Sequence, residues 1–314
     1  MSTKVRAKAT GAAKVSEARK GMLAMVAAAT VWGLSGLYYK ALAAVPPVEV
    51  LCHRTLWTVI FFGALLAAQG RVGEARRTLS ASRAWRPLAL SAAMIATNWL
   101  LFITAVQHGY ALEASLGYYM FPLFAVALGF LVFGERFSRP QAVAIGMAAV
   151  AVGVLTAGLG YAPWAAVIIA GTFGAYGLVK KRIPVGSMLS VFAETLLLAP
   201  LALVWLAGLH AGAWDDLGGR PGGYFGHGVG TSAMLAFSGV LTGGPLMLFS
   251  YAARRIPYAT LGLVQYLNPT LQVVVAVVAF GEPFTRWHAI AFALIWGGLV
   301  LYSWASWRRA VAAA

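Results

Sequence analysis

Two stretches of this chain, YMFPLFAVALGFLVFGERFSR at residues 119–139 and YLNPTLQVVVAVVAFGEPFTR at residues 266–286, follow one pattern. Both have a proline at their fourth position and a Gly-Glu pair beginning twelve residues later, and they lie 147 residues apart. A second match relates Trp32–Lys40 to Phe173–Lys181 at a separation of 141 residues. The shared spacing from proline to Gly-Glu is the stronger signal, because apolar helices often resemble each other by chance. The chain is therefore predicted to contain two copies of one helical unit.

The composition is that of a polytopic membrane protein. Of the 314 residues, 61% are hydrophobic and only 11% are charged, whereas soluble domains average ~45–50% apolar and ~25% charged residues. The 35 glycines and 11 tryptophans also suit membrane helices, in which glycine and interfacial tryptophan are enriched. This composition excludes a soluble globule and a disordered chain. A disulfide scaffold is excluded because Cys52 is the single cysteine.

Apolar runs of roughly 20 residues, the length that spans a bilayer as a helix, predict an all-α membrane protein with ten transmembrane helices. The predicted spans are 21–40, 50–69, 87–107, 113–133, 140–158, 163–180, 187–208, 231–252, 259–280 and 286–306. The expected organisation is a basic tail (1–20), a first five-helix unit (21–158), a second five-helix unit (163–306) and a short tail (307–314).

The net charge of +15 is explained by membrane topology. With a cytoplasmic N-terminus, the connections on the cytoplasmic side hold 20 of the 24 Lys and Arg residues, as the positive-inside rule requires. Both termini are therefore predicted to be cytoplasmic, in a bacterial inner membrane, and no nucleic-acid partner is expected. The apolar run Gly21–Tyr39 is longer than the roughly 7–15 residues of a signal-peptide core, so the first helix is predicted to remain as a span.

An odd number of spans per unit makes the second unit enter the membrane from the opposite side. Inverted repeats of this kind are typical of secondary transporters, which bind substrate near the midplane between the repeats. Pro122 and Pro269 lie near the middle of repeat-related spans and are predicted to kink them, since proline removes a helical hydrogen bond. Backbone freed in this way is tolerated at membrane depth where protein or a water-filled cavity satisfies it. The alternative is a simple packing kink.

Charged groups inside spans are the strongest pointers to a site, because a central charge costs roughly 2.5–3.5 kcal/mol on insertion scales. Arg54 and Glu194 are two such groups, and their numbers differ by 140, so they occupy nearly equivalent positions in the two units. Glu194 is predicted to carry a coupling proton or to bind a substrate ammonium. The alternative is a static salt bridge with Arg54, a lysine or a backbone donor.

Other polar groups near the predicted outer ends of spans are candidates for coupling or gating. Lys40 is predicted to form a gating pair with Glu49 or Glu113, although lysine at a helix end also snorkels to the interface. His53 can titrate near neutral pH, or it can serve in helix packing. Glu282 is expected to be structural.

Glu135 and Glu282 each follow a glycine at a helix end, and they are expected to cap or orient the short turns before the fifth and the tenth span. The glycine-rich connection 209–230 is expected to be a flexible loop.

A set of aromatic and amide side chains is predicted to line the substrate pocket, since aromatic walls with a few amides suit an amphiphilic or aromatic solute. Interfacial packing is the alternative for tryptophan and tyrosine. The predicted substrate-binding residues are Trp32, Asn98, Trp99, Tyr118, Tyr119, Gln265, Tyr266 and Asn268.

Enzymatic chemistry has weaker support. The Gly33–Gly36 segment has the Gly-x-Ser-Gly form of rhomboid proteases, but the repeat partner of Ser35 is Tyr176, so close helix packing is the simpler interpretation. Histidine spacing predicts no metal site, no cofactor is expected, and a nucleotide-binding Gly-x-x-x-x-Gly-Lys-Ser/Thr motif is absent from the sequence.

Several motifs, in the same order along the chain, resemble the RarD-type permeases of the EamA group in the drug/metabolite transporter superfamily. The motifs are Trp32-Gly33, His53-Arg54, Asn98–Phe102, Leu112–Tyr118, Gly134–Phe137, Tyr176–Lys180, Glu194-Thr195, Leu261–Tyr266 and Pro269-Thr270. This resemblance implies ten helices, two inverted EamA repeats and a transporter of metabolites or drugs. The expected function is a secondary exporter of a small organic solute that works by alternating access with proton coupling. Uncoupled facilitation or exchange is the alternative, followed by a non-transporting membrane protein such as an intramembrane enzyme.

Overall fold

The computed structural model describes residues 2–80, 85–133, 139–180, 183, 186–217, 219–256 and 264–312, and these are helices and their connections, without an assigned strand. The all-helical class is confirmed. The helices are α1 (Ser2–Ala41), α2 (Pro47–Ala68), α3 (Val72–Ser80), α4 (Trp85–Gln107), α5 (Ala111–Phe133), α6 (Arg139–Leu159), α7 (Trp164–Lys180), α8 (Ser187–His210), α9 (Val229–Ala253), α10 (Leu267–Val274, continued by a π-helical turn Val275–Ala279) and α11 (Arg286–Ala312).

Seven helices in the described part of the chain are long and apolar enough to cross a membrane: α1 from Glu17 onward, α2, α4, α6, α8, α9 and α11. The segments Trp164–Lys180 and Leu267–Ala279 are apolar but shorter. Helix α5 has 23 residues and contains Pro122. Helix α3, nine residues long, lies in a connection for which no helix was predicted. The protein is thus a multi-pass membrane protein, and the count of ten spans stays a prediction.

The helices pack in pairs that the internal repeat relates to one another. Helix α1 packs on α9 and α10, and its repeat equivalent α7 packs on the equivalents of those two helices, α4 and α5. Helix α2 packs on α8, and α6 packs on α11. In each of these pairs, the two helices occupy equivalent positions in the two units. The two units therefore interdigitate instead of forming separate bundles.

Glycines permit the closest helix contacts. A Cβ built on Gly239 of α9 would lie 2.3 Å from the Trp57 carbonyl oxygen of α2, and one built on Gly117 of α5 would lie 2.7 Å from the Ala166 carbonyl oxygen of α7. Both neighbours are backbone atoms, which cannot move aside without shifting a helix. Small residues have the same role in membrane helices generally, where they let backbones approach.

The two repeat-related prolines have different surroundings. In the second unit, Tyr266 interrupts the helix just before α10, and Pro269 lies in the first turn that follows. Helix α10 then turns into the π-helical stretch Val275–Ala279. In the first unit α5 is helical throughout Ala111–Phe133, with Pro122 inside it. The helix is therefore interrupted near Pro269 and continuous at Pro122.

The connection between α8 and α9, called the long loop below (residues 211–228), is fastened to the bundle, in contrast to the flexible loop that was expected. The Glu49 carboxylate at the start of α2 accepts hydrogen bonds from the amides of Gly223 (2.9 Å) and Tyr224 (2.7 Å). Arg220 donates to the Ala43 carbonyl oxygen at 3.2 Å. The loop closes over one end of the bundle, called the loop end below.

Candidate functional site

Glu194 of α8 is the centre of a buried polar network. Its side chain is 1% exposed and receives hydrogen bonds from four groups on three helices. Lys180 Nζ lies 2.7 Å from Oε1, Ser190 Oγ lies 3.1 Å from the same oxygen, and the Tyr176 hydroxyl lies 3.3 Å from Oε2. Ser91 of α4 also donates to Oε1. Four donors on three helices therefore converge on one carboxylate.

Helical spacing explains how this network forms. Ser190 and Glu194 are four residues apart on α8, and Tyr176 and Lys180 are four residues apart on α7, so each pair lies on one helix face. Among the alternatives for Glu194, the structure shows the salt bridge with a lysine. Arg54 is not its partner.

Arg54 of α2 makes a second buried site with a different composition. The residue is 8% exposed, and its Nη1 donates to the Tyr39 hydroxyl at 2.6 Å. Its guanidinium carbon lies 3.9 Å from the centre of the Trp99 ring, a cation–π contact. The buried Nε atom has no hydrogen-bond partner among the described residues.

The two sites are related by the internal repeat. Arg54 and Glu194 are 140 residues apart, and their partners Tyr39 and Lys180 are 141 residues apart. At each site, a charged group on the second helix of a unit contacts a polar group on the first helix of the same unit. The second unit thus supplies a carboxylate with a counter-ion, and the first unit supplies a guanidinium with a neutral phenol.

A continuous row of rings connects the two sites. In this aromatic row, consisting of Tyr39, Phe102, Tyr118, Phe173 and Tyr176, neighbouring ring centres are 5.9, 5.7, 5.6 and 6.0 Å apart. Its first member bonds Arg54 and its last member bonds Glu194. The first three contacts are edge-on and the last one is stacked; both arrangements at these separations are those of favourable aromatic pairs.

Part of the predicted substrate set lies along this row. Asn98 is fully buried; its amide nitrogen donates to the Ile169 carbonyl oxygen (3.0 Å) and the Thr172 hydroxyl (3.1 Å), and its oxygen accepts from Tyr118 (2.8 Å). Trp99 lies under Arg54. The structure therefore brings together Asn98, Trp99 and Tyr118.

The other predicted substrate residues lie elsewhere. Tyr119 contacts the Thr270 hydroxyl at 2.5 Å and stacks on Tyr266 with ring centres 6.4 Å apart. Asn268 accepts a hydrogen bond from the Gln272 amide at 3.0 Å. These residues form a second cluster between α5, α10 and α11.

Two more members of the predicted set lie outside the aromatic row. The side-chain oxygen of Gln265 is buried and accepts no hydrogen bond from the residues that the structure describes. Trp32 packs against Phe249 with ring centres 6.1 Å apart. The eight predicted residues are therefore divided between at least two regions.

The remaining coupling and gating candidates lie at the loop end. His53 stacks on Phe225, with ring centres 4.9 Å apart, and its Nε2 is 3.9 Å from the Glu49 carboxylate. Lys40 lies over the Phe280 ring at 5.6 Å. Among the described residues, no ion pair joins Lys40 to Glu49 or Glu113, so the proposed gating pair is not formed in this conformation.

Glu113 lines an open groove of about 410 Å³ at the loop end, together with His108, Tyr110 and Tyr161. The groove lies between the end of α4, the start of α5 and the turn before α7. It is separate from the aromatic row, so Glu113 does not contribute to the two buried charge sites.

The structure shows the hydrogen bonds of two residues that were expected to be structural, Glu282 and Ser35. Glu282 caps the start of α5, where its carboxylate accepts hydrogen bonds from the amides of Ala111 (2.8 Å) and Leu112 (2.7 Å). The expected location, the turn before the last helix, was wrong. Glu135 lies outside the described residues. The Ser35 hydroxyl donates to the Trp32 carbonyl oxygen of its own helix at 2.6 Å.

Sequence reasoning missed Ser91, Tyr176, Lys180 and Ser190 as partners of Glu194, and Tyr39 as the partner of Arg54. A signal was present for Ser91, because Leu88–Phe102 matches Leu235–Phe249 at a separation of 147 residues, with serine at the fourth position of both. Tyr39 aligns with Lys180 in the repeat match and could have been found in the same way.

Known proteins similar to this chain agree with this architecture. The EamA-like transporter family matches the chain twice, over residues 19–157 and 160–304. The RarD protein of Streptomyces exfoliatus is 40% identical over 94% of this chain and 91% of its own. An uncharacterized transporter of Pseudomonas aeruginosa is 38% identical over 92% and 95%, and the uncharacterized transporter YojE of Bacillus subtilis is 35% identical over 94% and 98%.

A solved crystal structure aligns over 90% of this chain and 96% of its own with a TM-score of 0.56 at 20% sequence identity, which is a likeness of fold alone. The two family matches cover both units that contain the buried charge sites. The chain therefore belongs to the EamA-like transporter family, and RarD proteins are among its relatives.

Proposed function

We propose that this protein is a secondary transporter that exports a small organic metabolite or an amphiphilic, drug-like solute by alternating access. In this proposal the chain crosses the inner membrane ten times, as two inverted units with both termini in the cytoplasm. The reciprocal packing of α1 with α9 and α10, and of α7 with α4 and α5, supports the inverted repeat. The distribution of Lys and Arg supports the orientation.

The observation that carries the proposal is the Glu194–Lys180 pair. A charged pair buried between helices is expensive to maintain in a membrane, and such groups mark ion and substrate pathways. The pair joins α7 to α8, and Ser91 adds α4, so three helices are held by one carboxylate. Any conformational change that separates these helices has to open this network.

Protonation of Glu194 provides a way to open it. A neutral carboxyl group holds an ammonium much less strongly than a carboxylate does, so a proton arriving at Glu194 would free Lys180 and loosen α7 from α8. Loss of the proton would restore the pair. Coupling of solute export to proton entry follows from this exchange, with Glu194 as the proton carrier.

Asn98, Trp99 and Tyr118 are the proposed solute contacts, since they line the aromatic row between the two charged sites. Aromatic faces with a few fixed polar groups suit amphiphilic molecules. A relative from Pseudomonas aeruginosa, 27% identical, is named a chloramphenicol-sensitive RarD protein, which agrees with a drug-like solute.

The test compares the small-molecule content of spent medium from cells that overproduce the wild type, the Glu194→Gln variant, the Glu74→Gln variant or no transporter. Glu74 is the matched control, because it is a partly exposed glutamate of α3 that pairs with Arg71 at 2.7 Å. We expect a compound to accumulate outside cells with the wild type and Glu74→Gln, but not with Glu194→Gln. A compound depleted from the medium would reverse the direction, and identical media would refute export.

Uncoupled facilitation or exchange is the second candidate, and the Lys180 contact favours it. Because Glu194 already has a counter-ion, the pair can remain ionised through a transport cycle. A protonophore separates the two mechanisms: it abolishes net export against a gradient if protons drive it, and leaves downhill flux and exchange intact if they do not.

A further inference from the structure

Arg54 is a buried cation without a described counter-ion. All of the acidic residues of this chain except Glu135 lie in the described regions, and none of these places a carboxylate oxygen within the 4.0 Å ion-pair distance of the Arg54 guanidinium. Glu49, one helical turn away, is committed to two amides of the long loop. Among the described residues, the Arg54 charge is met by the faces of Trp99 and Tyr39 and by the Tyr39 hydroxyl.

The guanidinium is nevertheless held in a fixed orientation. Trp99 covers its face, and the Tyr39 hydroxyl takes the Nη1 donor at 2.6 Å. The Nε donor is buried, and no acceptor in the described part of the chain reaches it. In arginine, Nε and Nη2 form the edge that binds the two oxygens of a carboxylate side by side. The unsatisfied donor of Arg54, Nε, therefore lies on the edge of the guanidinium that recognises a carboxylate.

The repeat-related site shows what is missing. At Glu194 the charged group of the second helix meets an opposite charge at the position of Lys180. At Arg54 the equivalent position is Tyr39, which is neutral. An unpaired buried charge is costly, so an anion bound at Arg54 would complete the first site in the way that Lys180 completes the second.

We propose that Arg54 binds the carboxylate of the transported solute, and that the solute is an organic acid whose apolar or aromatic body lies along the aromatic row. This inference rests on the proposed function and names its substrate class. Trp99 lies against the Arg54 guanidinium and Phe102 is the second member of the aromatic row. These two rings supply the apolar surface for the body of the acid. Neutral analogues and amines of the same shape lose the paired contact with the guanidinium.

Equilibrium binding to the purified full-length protein in detergent tests the proposal. The probes are hexanoate, phenylacetate, 3-phenylpropionate and indole-3-acetate, each compared with its primary amide at constant chloride concentration. We expect at least one acid to bind about 30-fold or more tightly than its amide, the effect of a buried charged hydrogen-bonded pair. The Arg54→Gln variant should remove this preference, and Arg54→Lys should retain only part of it because lysine has no fork of parallel donors.

Arg286→Gln is the matched control. Arg286 also lies over a tryptophan, with its guanidinium carbon 4.7 Å from the Trp287 ring, but it is exposed at the start of α11. The Arg286→Gln variant should keep the full preference for acids over their amides. Unfolding midpoints without ligand identify any Arg54 variant that is misfolded, and Arg54→Lys then serves as the folded comparison.

Two outcomes would overturn the inference: no acid binds more tightly than its amide, or the preference persists without the Arg54 guanidinium. The spent-medium experiment reports on transport independently. If a solute is exported but no acid binds more tightly than its amide, the Arg54 site is refuted and the proposed transport function stands. Acid binding at Arg54 together with unchanged media would refute export and leave the binding site.

Discussion

Removal of the Lys180 ammonium should destabilise the protein through the charge that it leaves behind. Lys180→Met keeps the length of the side chain but leaves Glu194 at 1% exposure with only the hydroxyls of Ser91, Ser190 and Tyr176. Breaking a buried ion pair from one side costs roughly 3–5 kcal/mol. Since the Lys180 side chain is 21% exposed and three donors remain, we expect about 2 kcal/mol.

Glu194→Gln in the same chain should recover most of that loss, because the stranded charge is then gone. Unfolding of the single and double variants in mixed micelles, followed by tryptophan fluorescence, gives a double-mutant cycle. We expect a coupling energy of about 2 kcal/mol, within the range for residues in direct contact. Lys40→Met is the matched control, and as a lysine over a ring it should cost about 0.5 kcal/mol. Additive losses from Lys180→Met and Glu194→Gln would refute the reasoning.

Three other perturbations test the packing of the fold, and each is measured by unfolding or proteolysis. Gly239→Ala places a methyl group 2.3 Å from the Trp57 carbonyl oxygen and should cost about 2 kcal/mol or more, whereas Gly146→Ala, with open space around it, should be neutral or stabilising; equal effects would contradict the close contact. Glu282→Gln should cost about 1 kcal/mol by removing the charged cap of α5, and an unchanged midpoint would argue against that cap. Glu49→Gln should release the long loop and speed its cleavage by an added protease. An unchanged cleavage rate would show that other contacts hold the loop.

The class of fold could be predicted because it depends on composition and on run lengths. Sixty-one per cent hydrophobic residues cannot be packed into a soluble domain of this size, and an apolar run long enough to span a bilayer has to be helical there. The repeat was also visible, since the proline to Gly-Glu spacing occurs twice. Helix α3, in contrast, lies in a charged connection where no apolar run marks it.

The site was predicted only in part, for geometric reasons. Glu194 and Arg54 could be identified because charge is rare inside apolar runs. The charged partner of Glu194 could not be identified, because Lys180 stands beside two other basic residues at a helix end and looked like an interfacial lysine. Tyr118 and Tyr119 were assigned to one pocket, although consecutive residues on a helix are about 100° apart around its axis. They accordingly face different helices in the structure.

The attachment of the long loop has a practical consequence for anyone who modifies this protein. The loop belongs to the second unit, yet it is bonded to the first unit, through Glu49 at the start of α2 and Ala43 in the turn between α1 and α2. It therefore links α2, the helix that carries Arg54, to the ends of α8 and α9. An epitope tag or a fusion inserted there would separate these ends and displace α2, so labels for this protein belong on its termini.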